Sequence, residues 1–139
     1  MPVSELKDGI RTEGPIRAGK HIIRRIFRVD NSTDADQTYT PDELLQGGIN
    51  RTIGDSRTDT TPSAAEMWRA MGPETQPGDG FEFIVWNSTA ITHVLTIAGG
   101  ADVMEEGTMT IAADSFRRFW YVAIGPAAGI LVNVGGGSI

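Results

Sequence analysis

Five short apolar runs lie between residues 81 and 134: FEFIVWN (81–87), THVLTIA (92–98), GTMTIA (107–112), SFRRFWYVAIG (115–125) and GILVNV (129–134). Nothing else in the chain limits its fold as tightly. The runs are rich in β-branched and aromatic residues, and the segments between them, STAI, GGADVMEE, AD and PAA, are of turn length. A parallel sheet needs a crossover of about a dozen residues between neighbouring strands, and these connections are too short for one. The spacing predicts an antiparallel meander or Greek key, hence a mainly β fold closing into a small antiparallel β-barrel or sandwich. In SFRRFWYVAIG, alternation puts Phe116, Arg118, Trp120, Val122 and Ile124 on one face and Arg117, Phe119, Tyr121 and Ala123 on the other. Both faces are largely apolar. One suits an interior; the other needs a cover, either a helix or a neighbouring subunit.

Upstream, TYTPDELLQGGI predicts a helix of one or two turns, with Thr40 as N-cap, Pro41 at the first helical position, Glu43 at the capping-box position and Gly47-Gly48 as the stop. NRTIGDSRTDT (50–60) is expected to be a polar connection. A second helix is expected from Thr61 as N-cap and Pro62 as its first residue, carrying Met67, Trp68 and Met71 on one apolar side. GPETQPGDG ends it, and PGDG turns the chain into the first strand of the meander.

Residues 1–20 hold Pro2, Gly9, Gly14, Pro15 and Gly19 without a sustained period, as in an extended arm. HIIRRIFRVDN (21–31) is β-rich but mixes apolar and Arg residues on both faces. It suits a strand lying against a partner with Arg reaching carboxylates, or an edge strand kept soluble by charge. The division expected is an N-terminal arm over 1–37, with one β-like segment at 21–30, and a body over 38–139. Charge follows the same division. The net charge of −6 combines seven basic residues against three acidic ones in 1–29 with five against fifteen in 30–139. A basic arm on an acidic body fits an electrostatically guided contact, or an ordinary solvated terminus.

The absence of Cys removes disulfides, thiolate metal sites and a Cys nucleophile. His21 and His93 stand in separate segments with no ligand spacing, and are expected to be surface or edge residues. Asp102, Glu105 and Glu106 are better suited to a solvated turn than to a cation site. Ser56 lies in a polar loop outside any GxSxG, and no phosphate-binding GxxxxGK[ST] occurs. Asp79, between two glycines in PGDG, is expected to form a turn rather than to act as an acid, and Glu82 shares a strand face with Ile84 and Trp86. Neither an enzyme nor a cofactor is expected. Arg residues that alternate with Ile and Phe, on an acidic body, argue against direct nucleic-acid binding. No apolar run reaches membrane-spanning length, and MPVSELKDGIRTEG has no apolar core of a signal peptide, so synthesis in the cytosol is expected.

The succession YTPDELLQGGINR, DTTPSAAEM, GDGFEFIVWN, LTIAGG and GTMTIAADSFRRF resembles the capsid decoration (cement) proteins of tailed bacteriophages. GTMTIA followed by RRF is its most distinctive part. The resemblance spans residues 38–124, with Trp68 a departure in the segment before GD. It implies a small β-barrel or jelly-roll-like body that forms a homotrimer on the outer surface of the head and clamps neighbouring copies of the major capsid protein. It brings no catalytic residues. In that setting the basic arm, through Arg11, Arg17, Lys20, Ile22, Arg24, Arg25, Ile26 and Arg28, would lie across a capsid subunit. Met67, Trp68, Met71, Trp86, Phe119 and Tyr121 are the subunit-interface candidates. A different reading is a receptor- or glycan-binding module of a phage fibre, using loops 50–60 and 99–107 with Trp86 or Trp120 stacking on sugar.

Overall fold

The computed structural model describes residues 27–139. Its strands, in chain order, are β1 (Phe27–Asn31), β2 (Gly47–Arg51), β3 (Arg57–Thr60), β4 (Gly80–Asn87), β5 (Leu95–Ala98), β6 (Val103–Glu106), β7 (Thr110–Ile111), β8 (Ser115–Gly125) and β9 (Ala128–Ser138). Helix α1 (Pro41–Leu45) precedes β2, and α2 (Ala64–Met71) precedes β4. The protein is mainly β. Six strands form one sheet in the order β1-β2-β4-β8-β9-β6, and β3-β5-β7 form a second.

Pairing is mixed rather than purely antiparallel. β4 with β8, β8 with β9, and β5 with β7 are antiparallel, and of these only β8 and β9 are joined by a two-residue turn. β1 with β2, β2 with β4, β3 with β5 and β6 with β9 are parallel. The crossovers these need come from outside the short turns. α1 lies between β1 and β2, and β3 with α2 lies between β2 and β4. β6 reaches the far side of β9 because β7 and β8 intervene in sequence.

The long β8–β9 hairpin closes on Pro126-Ala127. Pro126 sets φ near −65°, which suits the first central position of a type I turn. Such a turn splays a two-residue hairpin, and the register shifts directly after it, between Ala128 and Gly129.

Alternation chooses the core. In β4, Phe81, Phe83, Val85 and Asn87 point inward; in β8, Phe119, Tyr121 and Ala123 do so. Phe83 lies opposite Phe119 and Phe81 opposite Tyr121, with ring centroids 5.3 and 5.6 Å apart. Leu95, Ile97 and Ile111 from the small sheet join the same cluster. Leu44, Leu45, Met67 and Met71 from the helices close it.

The first helix starts as expected: the Thr40 hydroxyl accepts from the Glu43 N–H, and the Glu43 carboxylate from the Thr40 N–H. The second starts two residues later than expected, at Ser63, whose hydroxyl and Glu66 complete the reciprocal capping box. Thr61 remains part of the sheet end, with its N–H donating to the Ala98 carbonyl and its hydroxyl accepting from the Gly100 N–H.

PGDG is a turn. The Asp79 carboxylate accepts from the Gln76 N–H at 2.9 Å, Gly78 has φ +96°, and the Gly78 N–H and Asp79 carbonyl both bond to Ala123. The segment 50–60, expected to be a connection, contains the end of β2 and all of β3 instead.

Candidate functional site

The inner face of the six-stranded sheet is filled by the second sheet and both helices. No described residue covers its outer face. Strand register lays that face out in rows. One runs Gly80, Val122, Ile130, Met104 and the next Glu82, Trp120, Val132, Glu106. A third runs Arg28, Gly48, Ile84, Arg118, and a fourth Asp30, Asn50, Trp86, Phe116. Trp120 is 51 % exposed, Met104 62 % and Ile124, beyond the first row, 44 %. Val122, Ile130, Val132, Ile84 and Trp86 are half-buried beside them.

The face is therefore an apolar centre with charge at its flanks: Glu82 and Glu106 on one row, Arg28 and Arg118 on the next. Arg118 lies 3.7 Å from Glu82, and Arg28 3.2 Å from Asp30. A contiguous apolar patch with a charged rim is the usual mark of a surface that meets another molecule.

This layout sorts the interface candidates. Met67, Met71, Phe119 and Tyr121 are buried inside the chain's own core, so the expectation that they meet a neighbouring subunit is corrected. For Phe119 and Tyr121 the reason is parity, since the apolar face of β8 left uncovered is the one with Trp120. Met67 and Met71 lie on the helical side that seals the core. Trp68 packs partly against that core. Trp86 lies on the outer face, in the row with Phe116. Trp120, Val122, Ile130, Val132 and Met104 were not singled out as interface candidates. The alternation of SFRRFWYVAIG was the available signal, but it left open which face turns inward. Of the arm residues, Arg28 is exposed on β1; Arg11, Arg17, Lys20, Ile22, Arg24, Arg25 and Ile26 lie outside the described residues, as does His21.

Two buried polar groups have no counterpart in the sequence reading. The first joins Arg51, Asp59 and Tyr39, all within the core. Arg51 grips Asp59 with two bonds, Nε to Oδ2 at 2.6 Å and Nη2 to Oδ1 at 3.1 Å. Its remaining donors reach the carbonyls of Asn31, Thr33 and Ala35 and the Asn31 side chain. The Tyr39 hydroxyl donates to Asp59 at 2.6 Å, and the Gln37 N–H donates to the same carboxylate. Burial, reinforced by the Asp59 charge, holds the Tyr39 hydroxyl well above the usual tyrosine range. Every donor of Arg51 is used within the chain, so the group ties loop 32–37 to both sheets.

The second is Tyr121, whose buried hydroxyl has no hydrogen-bond partner among the described residues and is pushed by burial up to about 12. It abuts Gly129, where a Cβ would overlap the hydroxyl oxygen. A buried donor left unpaired costs about 1–3 kcal/mol. Tyr121→Phe is therefore expected to leave stability unchanged or raise it, read from the urea midpoint. A loss above about 1 kcal/mol would mean that the hydroxyl is bonded in solution.

Among the described residues no group of three His, Asp or Glu is placed to hold a metal ion. Glu105 spends a carboxylate oxygen on the Gly99 N–H at 2.6 Å, and Asp102 takes a left-handed turn at φ 62°. The DVMEE segment thus forms β6 and its entering turn. Ser56 accepts from the Val94 N–H in an exposed loop.

A hollow of about 270 Å³ opens at the end of the β8–β9 hairpin, between Arg117, Ser115, Ser138 and Ile111. Arg117 donates there to the Thr110 carbonyl at 2.6 Å. No helix among the described residues is long and apolar enough to cross a membrane. Comparison with models of known families, with curated proteins and with solved structures found no match in any of the three.

Proposed function

We propose that the chain is a structural virion protein. It decorates the outer surface of a tailed-phage head as a homotrimer and holds neighbouring copies of the major capsid protein together. The observation that carries this reading is the uncovered apolar face around Trp120, Met104 and Ile124. It is an exposed apolar surface on one small body, of the kind that meets another molecule. The motif succession of residues 38–124 supplies the kind of molecule. The mechanism is mechanical: modest contacts, multiplied by the valency of a trimer, hold adjacent capsid subunits against rupture. Electrostatics assists. Residues 27–139 carry six basic side chains against fifteen acidic ones, and the basic residues before them give the opposite charge for a guided contact.

Light scattering of the purified protein is expected to give three times the 15.0 kDa chain mass. The protein should also cosediment to saturation with expanded heads of the phage that encodes it. A stable monomer that ignores expanded heads would overturn the proposal.

A further inference from the structure

Two features meet at the open end of the β8–β9 hairpin, away from the Trp120 centre: an unpaired strand edge and the hollow beside Arg117. β6 accompanies β9 only over residues 129–132. Gly107, with φ +91°, then turns the chain aside next to Asn133. Over residues 134–138 no described strand pairs with β9 on the side away from β8. Natural sheets blunt such edges with Lys, Pro or a bulge. Here the register shift, between Asn133 and Gly135, comes at the start of the open stretch, and Gly136, Gly137 and Ser138 beyond it are all exposed.

Register sets the hollow beneath this edge. Arg117 pairs with Val85, which is buried, so the two share the inner face of the sheet. Gly136 follows Arg117 in that row, and Ser138 follows Ser115 in the next inner row. The Arg117 side chain leans over Gly136, where a Cβ would lie 2.9 Å from its Cγ. Its Nε donates to the Thr110 carbonyl, and both Nη groups are left without a partner among the described residues. Arg28, Arg51, Arg57 and Arg118 each face a carboxylate, at 3.2, 2.6, 2.8 and 3.7 Å. Arg117 faces none among the described residues, although the body is strongly acidic.

We propose that an extended segment of another protein adds to this edge as a further strand and sets a glutamate side chain in the hollow against Arg117. Main-chain bonds to β9 give such a strand its affinity, and a pocket for one side chain gives its specificity. The distance fits. The inward residue opposite Gly136 stands two strand spacings, about 9.6 Å, from Arg117. Gly136 puts no side chain between them, so guanidinium and carboxylate meet over it. A carboxylate takes two parallel bonds from one guanidinium. The Ser138 hydroxyl, at the rim and uncommitted among the described residues, can donate a third.

This edge is separate from the Trp120 face on which the capsid reading rests, and the proposal stands or falls independently of that reading.

The probe is the acetylated, amidated heptapeptide TVTETVT, titrated into isotopically labelled full-length protein and followed by NMR. It reads the same in both directions, so it can pair parallel or antiparallel, and its Glu shares a face with both Val residues. Its addition is expected to shift the amide signals of residues 135–138 and of Arg117. Signals of β1, the opposite edge of the sheet, should stay in place. The peptide TVTQTVT should bind at least about tenfold more weakly, because the charge-assisted pair is lost.

Arg117→Gln should bind both peptides alike, with the circular dichroism of the fold retained. Arg118→Gln, one residue along β8 but on the outer face, should keep the preference for Glu. If Arg117→Gln does not fold, the comparison of the two peptides on the parent protein still decides. Equal binding of both by the parent overturns the proposal. So do shifts confined to the outer face around Trp120, or no shift at residues 135–138 with millimolar peptide.

Discussion

Arg51→Met is expected to remove about 3–5 kcal/mol of folding stability, because it leaves the Asp59 carboxylate buried without its counter-charge. Natural domains hold about 5–15 kcal/mol in total, so the variant should unfold at a markedly lower urea concentration or fail to accumulate. Coulomb attraction alone is not the reason. Arg51 also donates to the carbonyls of Asn31, Thr33 and Ala35, the first of which also accepts from the Thr52 N–H.

The pair can be told apart from the network by adding Asp59→Leu to Arg51→Met. The double variant should recover part of the loss, since no buried charge remains. It should not recover all of it, because the Tyr39 hydroxyl and the Gln37 N–H lose their acceptor. A single variant within about 1 kcal/mol of the parent would show that water reaches Asp59.

That same group explains why part of the fold was hidden in the sequence. β3 is RTDT, and its one buried side chain is Asp59. A strand whose inward residue is a carboxylate paired with Arg51 shows no hydrophobic alternation, so the segment looks like a loop. β2, GGINR, hides for a related reason: of its inward residues only Ile49 is apolar, and its glycines resemble a helix stop. β6, VMEE, is mostly exposed at a sheet edge.

By contrast, β4 and β8 were legible almost to the residue, because Phe81, Phe83, Val85, Phe119 and Tyr121 alternate without a break. Parallel pairing was not legible. Strand order depends on which crossovers pack, and the polar strands that make those crossovers carry no periodic signal. The uncovered face was visible as a property of β8, but its inward side was decided by the aromatic stack with β4. Thr61 and Ser63 are both plausible caps, and only Ser63 has a Glu three residues on.

Phe83→Ala should cost about 3–5 kcal/mol, the range for truncating a fully buried aromatic side chain. Phe83 has no exposed surface and stacks on Phe119 across the β4–β8 pairing, with Phe81 6.1 Å away along its own strand. The neighbouring rings belong to backbone fixed in two central strands, so the void has little means of collapse.

Trp120→Ala provides the internal contrast, one residue along β8 from Phe119 but facing outward. In the monomeric body it should cost below about 1 kcal/mol, as surface truncations do. Urea unfolding with an unchanged slope would measure both. Equal costs at the two positions would mean that Trp120 is packed as firmly as the core, and a Phe83→Ala cost below about 1 kcal/mol would contradict the stack.

The β8–β9 hairpin has a consequence for the time course of folding. Hairpins close within about 1–10 μs, whereas pairings between distant segments must first meet the entropy of closing a long loop. In β8 and β9 the partners meet across Pro126-Ala127, while Arg57 waits for Leu95 and Gly48 for Ile84. The local nucleus thus lies C-terminal to the strands it must recruit. β1, β2 and β3 precede the β8 strand that supplies the antiparallel side of β4, so the sheet should assemble from the β8–β9 hairpin backwards.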